Sequence, residues 1–473
     1  MSNTKLADFH QEFSQWYNDV VYQAELADLA PVRGCMVIRP YGMAIWEQIK
    51  DRLDARIKAT GHHNAAFPLF IPQSFLTKEA EHVEGFAPEV AVVTHAGGEE
   101  LAEPLIVRPT SETIIHYMFA QWIRSWRDLP LKINQWCNVV RWEMRPRPFL
   151  RTTEFYWQEG HTAHETEQEA LDETLLMLRE YRQLYEGALA IPVIEGRKSD
   201  AERFAGADRT YTLEGIMADG KALQLCTSHM ISQSFAQAFG MKFQDRQGAM
   251  AYPYLTSWGF TTRSIGALIM THGDQKGLII PPVIAPIQVV IIPIIKTDTA
   301  AIVRTTVQEL VGRLQAVCRV HVDANDQVTP GAKFFHWELK GVPYRIEIGA
   351  KDIAAGVATV VDRLTATKRQ IPLAQLHTEM PPLLAQLQQQ LYDRAKERMD
   401  RLVQHGDKLA VFGPLMEERN GAFITGWCQS AACEQQLKNF KATTRCLPGS
   451  KEHAICFACD KASIADVLVA KAY

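Results

Sequence analysis

The chain has 473 residues, enough for two to four domains that each bury a core, and its 47% apolar and 22% charged content is ordinary for a soluble globular protein. A net charge of −4 excludes a protein that is basic all over, yet leaves room for nucleic acid, which needs only a local basic patch. No apolar run reaches the ~18 residues of a membrane span and the first residues carry no apolar secretory core, so a cytoplasmic protein with no membrane partner is expected.

In chain order, Ile45, Ile49, Leu53 and Ile57 recur every four positions and predict an amphipathic helix ending at Gly61. Ala65-Ala-Phe-Pro68-Leu-Phe-Ile-Pro72 is a short apolar run broken by prolines, which suits an edge strand. Helices are predicted at 113–127 and 165–190, and antiparallel strands around Tyr211–Leu213 and Ala222–Leu225, joined by a turn at Ala218-Asp-Gly220. Beyond the proline-rich stretch 281–286 the pattern becomes β–α: strand 287–295, helix 299–317, strand 319–323, helix 331–340, strand 344–348. A helix from Pro382 to His405 leads to a cysteine-rich tail. The chain thus divides into an α+β domain (1–285), an α/β domain (286–400) and a small tail domain (401–473).

The most informative segment runs from Arg141 to His161. It reads as two strands joined by a basic turn, with Arg141 and Glu143 on one face of the first, and Trp157, Glu159 and His161 on one face of the second. Such a face is a poor core, because burying its charges without partners costs several kcal/mol. By itself it also suits a solvated, ion-paired hairpin. Arg145, Arg147 and Arg151 crowd the turn, stiffened by Pro146 and Pro148, and clustered guanidinium forks suit a polyphosphate.

Five of the nine cysteines lie in the last fifty residues, and in a cytoplasmic chain such a cluster favours a metal over disulfides. Cys428-x4-Cys433 and Cys456-x2-Cys459 give the two close pairs of a tetrahedral, structural zinc site. Cys446 is left over and could replace a ligand.

Arg-x-Glu, a variable loop and Arg-x-x-x-Phe resemble the second signature motif of class II aminoacyl-tRNA synthetases. The segment Gly61–Phe70 resembles the first, which builds the dimer interface. Trp258–Met270 resembles the third, although Thr262 stands before Arg263 where an acid is usual. Arg108-Pro-Thr110-Ser-Glu112, Trp157-x-Glu159-Gly-His161 and Gln224-Leu-Cys-Thr227-Ser-His229 together resemble prolyl-tRNA synthetases of archaeal and eukaryotic architecture. Four separated segments in the right order are far more specific than any one of them.

The resemblance implies a homodimeric enzyme with a class II antiparallel catalytic domain, an α/β anticodon-binding domain and a C-terminal zinc-type domain. It implies activation of L-proline by Mg²⁺-ATP and transfer of the prolyl group to tRNA(Pro). Arg141, Glu143 and Arg263 become the catalytic candidates. Thr110, Glu112, Arg141, Trp157, Glu159, His161 and His229 are the proline candidates, with Phe155 as a further wall. Arg141, Glu143, Arg151, Thr152, Thr153, Gln224, Thr227 and Arg263 are those for ATP, and Glu214 that for magnesium. Phe334, Glu338, Arg345 and Lys351 would read the anticodon, Lys340, Glu347 and Asp352 lying in the same cluster. Val83–Glu89 resembles the loop that folds over bound proline, and the terminal Tyr473 is expected to reach the catalytic domain. Only about a hundred residues separate His161 from Trp258, too few for the editing domain that bacterial-type relatives insert there.

Overall fold

The computed structural model describes residues 5–75 and 90–473; the expected proline-covering loop at Val83–Glu89 lies outside the described residues. The N-terminal part contains α1 (Phe13–Gln23), β1 (Ala27–Leu29), β2 (Met36–Ile38), α2 (Pro40–Ala59), β3 (His63–Asn64), β4 (Phe70–Pro72), β5 (Ala91–Ala96), β6 (Glu99–Val107) and α3 (Glu112–Trp122). There follow β7 (Leu131–Val140), β8 (Glu154–His164), α4 (Glu167–Gln183), β9 (Ile194–Arg197), β10 (Arg209–Ile216), β11 (Ala222–Ser232), β12 (Tyr254–Thr261) and α5 (Arg263–His272).

A seven-stranded sheet in the order β3-β7-β8-β12-β11-β10-β9 organises this part. Its pairings are antiparallel except β3 with β7. Helix α2 buries Ile45, Ile49, Leu53 and Ile57, the predicted stripe, each burial contributing about 1.5–3 kcal/mol. Helix α4 opens with a capping box between Thr166 and Glu169 and buries Met177, Leu178 and Tyr181 in the same core. These helices cover one face of the sheet, so the other face is free to line a cavity. Between β8 and β12 lie α4, a turn of π-helix at Leu184–Ala188, three strands of the sheet, a short helix at Ser234–Ala238 and a two-stranded ribbon of Phe243–Gln244 and Met250–Ala251.

The middle part carries β13 (Val289–Ile294), α6 (Ala300–Leu314), β14 (Val320–Val322), α7 (Pro330–Leu339), β15 (Tyr344–Gly349), β16 (Val357–Asp362), β17 (Lys368–Pro372) and α8 (Leu376–Leu402). Its sheet runs β14-β13-β15-β16-β17, parallel across β14, β13 and β15, then antiparallel. Helix α8 begins six residues before the expected Pro382 and carries Pro381 and Pro382 inside it, past the first turn where a missing N–H is free. The tail adds β18 (Val403–His405), α9 (Leu409–Arg419), β19 (Ala422–Trp427), β20 (Thr443–Cys446) and β21 (Ala465–Ala470) in a four-stranded sheet, β18-β19-β21-β20. No helix among the described residues is long and apolar enough to cross a membrane.

Candidate active site

The free face of the large sheet forms the floor of a cavity of about 440 Å³. Every predicted catalytic, proline and ATP residue lines it except Thr153, and so does Phe155; the magnesium candidate Glu214 does not.

The hairpin is longer than expected, and its first strand stops earlier. β7 ends at Val140, so Arg141 and Glu143 stand just beyond it rather than on it. Arg141 N–H still donates to the Thr153 carbonyl at 2.8 Å, which extends the ladder by one residue and aims the side chain inward. Arg141 Nε donates to the Pro109 carbonyl at 2.8 Å, and the guanidinium lies 5.2 Å from the Trp157 ring and 5.7 Å from that of Phe155. The surrounding protein lowers its pKa by desolvation, but a guanidinium stays charged in proteins. Beyond it, Glu143 accepts from the Arg145 N–H at 2.8 Å and lies 3.7 Å from Arg151.

On β8 the predicted alternation holds. Trp157, Glu159 and His161 face the cavity, while Gln158 turns to the core and bonds Asn134 and Tyr181. Gly160 is required there: a Cβ would come within 2.0 Å of the Trp258 ring across the strand pair.

One end of the cavity is a nest of buried titrating groups. Glu112, first residue of α3, accepts a short hydrogen bond from the Thr110 hydroxyl and sits 3.5 Å from His161 Nε2. Burial alone would raise the Glu112 pKa, but His161 and the Thr110 hydroxyl outweigh it and hold the carboxyl far below its usual range. Burial would likewise lower the His161 pKa, yet Glu112 and Glu159 lift it above the ordinary value. The two shifts describe one ion pair. His229 is pushed down to about 4 by burial, and its Nδ1 lies 3.0 Å from the Thr210 hydroxyl.

Glu159 lines the cavity and is also bonded to the start of α3. Its carboxylate takes donors from Ser111 N–H at 3.2 Å, the Ser111 hydroxyl, Gln135 Nε2 at 2.9 Å and Cys137 Sγ at 3.4 Å. Its oxygens are committed to the entrance of α3, which carries Thr110 and Glu112 on either side of Ser111.

The opposite end is basic. Arg263 opens α5, as the third motif requires, with Nε donating to the Leu150 carbonyl at 3.1 Å and Nη1 to the Gln224 carbonyl at 3.3 Å. Arg151 is exposed beside it, its guanidinium open to a ligand. Gln224 and Thr227 both face the cavity although three residues apart, which plain alternation forbids. The register explains this: Leu213 pairs with Cys226 and Glu214 with Gln224, so Leu225 is an extra, bulged residue. Thr152 lines the cavity, but Thr153, the next residue along an extended chain, points the other way and packs on Gly34.

Glu214 is corrected outright. It is fully buried, with Lys198 Nζ at 2.8 Å on one oxygen and Arg445 Nε and Nη2 at 3.0 and 2.9 Å on the other, so no face is open to a hydrated cation. Ser257, Gly259, Phe204 and Thr210 also line the cavity and went unnoticed in the sequence. Period two along β12 pointed to Ser257 and Gly259; nothing local marked Phe204.

In the middle part Arg345 stacks its guanidinium on the Phe334 ring at 4.4 Å and pairs with Glu347 at 2.9 Å, while Lys351 is exposed. Glu338 pairs with Lys276 and Lys340 with Glu25, both across the joint with the first domain, and Asp352 accepts from the Gly349 N–H. In the tail the sulfurs of Cys428, Cys433, Cys456 and Cys459 lie within 4.8 Å of one another. Backbone N–H groups of Ala458 and Cys459 offset burial and bring the Cys456 thiol down to about 7. Cys446 is buried elsewhere, in the joint with the large sheet. Tyr473 packs 5.0 Å from the Arg147 guanidinium of the basic turn, and its N–H donates to the Ala222 carbonyl.

Three family models match in series: the class II tRNA synthetase core domain (G, H, P, S and T) at residues 94–272, an anticodon-binding domain at 288–381, and the prolyl-tRNA synthetase C-terminal domain at 410–473. A proline–tRNA ligase 2 of Clostridioides difficile is 49% identical over 99% of this chain and 98% of its own. A proline–tRNA ligase of Roseiflexus sp. is 50% identical over 98% of each. Prolyl-tRNA synthetase from Cryptosporidium parvum, solved with L-proline and AMP, superposes with a TM-score of 0.92 at 40% identity, covering 99% of both chains. Its complex with halofuginone and AMPPNP gives 0.93 at 42%, again over 99% of both. With core, anticodon-binding and C-terminal modules matched in one order and relatives near half identity end to end, the chain belongs to the prolyl-tRNA synthetase family.

Proposed function

We propose that the cavity activates L-proline with MgATP and then passes the prolyl group to tRNA(Pro). The carrying observation is the polarity of one cavity: the buried Glu112–His161 pair at one end and Arg141, Arg151 and Arg263 toward the other. A secondary ammonium suits the Thr110–Glu112 end, with Trp157 and Phe155 walling the apolar ring and neutral His229 closing it. A proline carboxylate oxygen attacks the α-phosphorus, the bond to the β-phosphate breaks, and pyrophosphate leaves. The ribose hydroxyl at the tRNA 3′ end then attacks the prolyl carbonyl, and AMP leaves. Both nucleophile and electrophile are anionic, so Arg141 between the two ends supplies the charge that lets them approach. Gln224, Thr227, Thr152 and Arg263 are assigned to the nucleotide. Glu143, a partly open carboxylate on that side, is the hard oxygen donor that would hold magnesium arriving with ATP, which would supply positive charge to the phosphates.

Phe334 and Arg345 present a stacking ring and a guanidinium fork, and with Glu338 and Lys351 they are assigned to anticodon bases. Four sulfurs so close suit a structural Zn²⁺ held by Cys428, Cys433, Cys456 and Cys459. Phe70, Tyr117 and Trp122 expose large apolar surface around the first motif, which supports a homodimer through that face. All nine cysteines are free, as a reducing cytoplasm requires. The deciding assay is proline-dependent exchange of pyrophosphate into ATP. Exchange with proline that Arg141→Ala abolishes in a folded protein is expected; better exchange with threonine, glycine or serine would end the proposal.

A further inference from the structure

We propose that Arg445, in the C-terminal domain, is a positioning residue for the ATP subsite, acting through Glu214 and the bulge at Leu225. The inference rests on the assignment of Gln224, Thr227 and Arg263 to the nucleotide. Glu214 does not line the cavity, yet it is fully buried and accepts four hydrogen bonds. One oxygen accepts both nitrogens of the Arg445 fork, and the other accepts Lys198 at 2.8 Å and the Thr212 hydroxyl at 3.1 Å. The Thr212 hydroxyl also lies 3.1 Å from the Cys226 carbonyl, on the residue that follows the bulged Leu225. Glu214 itself is the register partner of Gln224, on the other side of the bulge. Arg445 therefore reaches both flanks of the irregularity through a single carboxylate.

The neighbouring contacts point the same way. Ala222, two residues before Gln224, donates to the Lys471 carbonyl at 2.8 Å and accepts from the Tyr473 N–H at 3.2 Å. Arg197 of edge strand β9 and Leu447 exchange backbone hydrogen bonds at 3.0 and 2.7 Å, and a Cβ on Gly196 would meet the Leu447 carbonyl at 2.5 Å. The C-terminal domain thus continues the catalytic sheet.

Packing does not call for charge at this joint. Ile216, Met399 and Leu468 already form an apolar seam there, and burying an ion triad in such a seam is no better for stability than apolar side chains. What a charged fork adds is registry. A one-residue slip of the bulge would re-aim the Gln224 side chain and displace the Gln224 carbonyl that receives Arg263.

The test measures KM for ATP and for proline separately in pyrophosphate exchange by the full-length protein, with folding checked by circular dichroism. Arg445→Lys keeps the charge and loses the fork; the triple variant Lys198→Met, Glu214→Leu, Arg445→Met replaces the triad by apolar volume. Each folded variant is expected to raise KM for ATP at least tenfold while KM for proline moves less than twofold. A folded variant with KM for ATP unchanged, or with both constants raised equally, overturns the proposal. Should the triple variant not fold, Arg445→Lys decides alone. Gln224→Ala separates the two layers. If it raises KM for ATP while the triad variants do not, only the coupling fails. If it leaves KM for ATP unchanged, the subsite assignment fails and the coupling with it.

Discussion

Glu159→Gln tests whether the second carboxylate of the cavity holds a helix in place rather than a substrate. The replacement is isosteric, but a carboxylate offers two acceptor oxygens and an amide only one. With the amide oxygen toward the Ser111 hydroxyl, Gln135 and Cys137, the NH₂ faces the Ser111 N–H, now a buried donor without a partner, at a cost of about 1–3 kcal/mol. The three surviving bonds change from charge-assisted to neutral, losing roughly 1 kcal/mol each, less for the thiol. The sum is about 3–5 kcal/mol, concentrated at the first turn of α3. Hydrogen exchange of the amides at 111–115 reads it locally: about 3 kcal/mol corresponds to roughly a hundredfold faster opening. Because this turn carries Thr110 and Glu112, KM for proline should rise as well, with KM for ATP little changed. Exchange at 111–115 as slow as in the parent protein, with KM for proline within twofold, would refute the assignment.

Four further outcomes are expected. Arg141→Lys keeps a charge but loses the fork, and should lower kcat for adenylate formation about 10²–10³-fold with the fold intact, as measured by single-turnover kinetics. The Glu112–His161 pair sets a pH window: the raised His161 pKa gives stabilisation that is full below about 6.5 and fades as pH climbs through the folded value, while the lowered Glu112 pKa gives stabilisation present above about 4.5 and lost as pH falls through its folded value. Thermal denaturation against pH should therefore lose the alkaline arm in His161→Asn. Chelation, or Cys459→Ser, should release one zinc per chain and expose 401–473 to protease, since structural zinc contributes on the order of 10 kcal/mol to small domains; equal protease resistance with no metal found would remove zinc from the account. Phe334→Ala should raise KM for tRNA about tenfold or more, the loss of ~1–3 kcal/mol of stacking, and leave pyrophosphate exchange untouched.

What the sequence made legible follows a simple physical line. Period two displayed Trp157, Glu159 and His161 on one face, because alternation along a strand is dictated by the backbone alone. The resemblance placed Thr153 with Thr152, whereas the same rule makes adjacent residues on extended chain diverge. That rule is silent at Gln224 and Thr227, whose common face depends on one inserted residue. Glu214 shows the deeper limit. The resemblance offered it as a magnesium ligand, whereas its fate is decided by Arg445, 231 positions away. Charges that meet only after folding leave no periodic trace, so a carboxylate reserved for a ligand and one neutralised by a distant domain look alike in a string of letters. The distinction is made by counting donors around each oxygen. By that count Glu214, with two donors on each oxygen, belongs to the frame, whereas Glu112 and Glu159 line the space a substrate would fill.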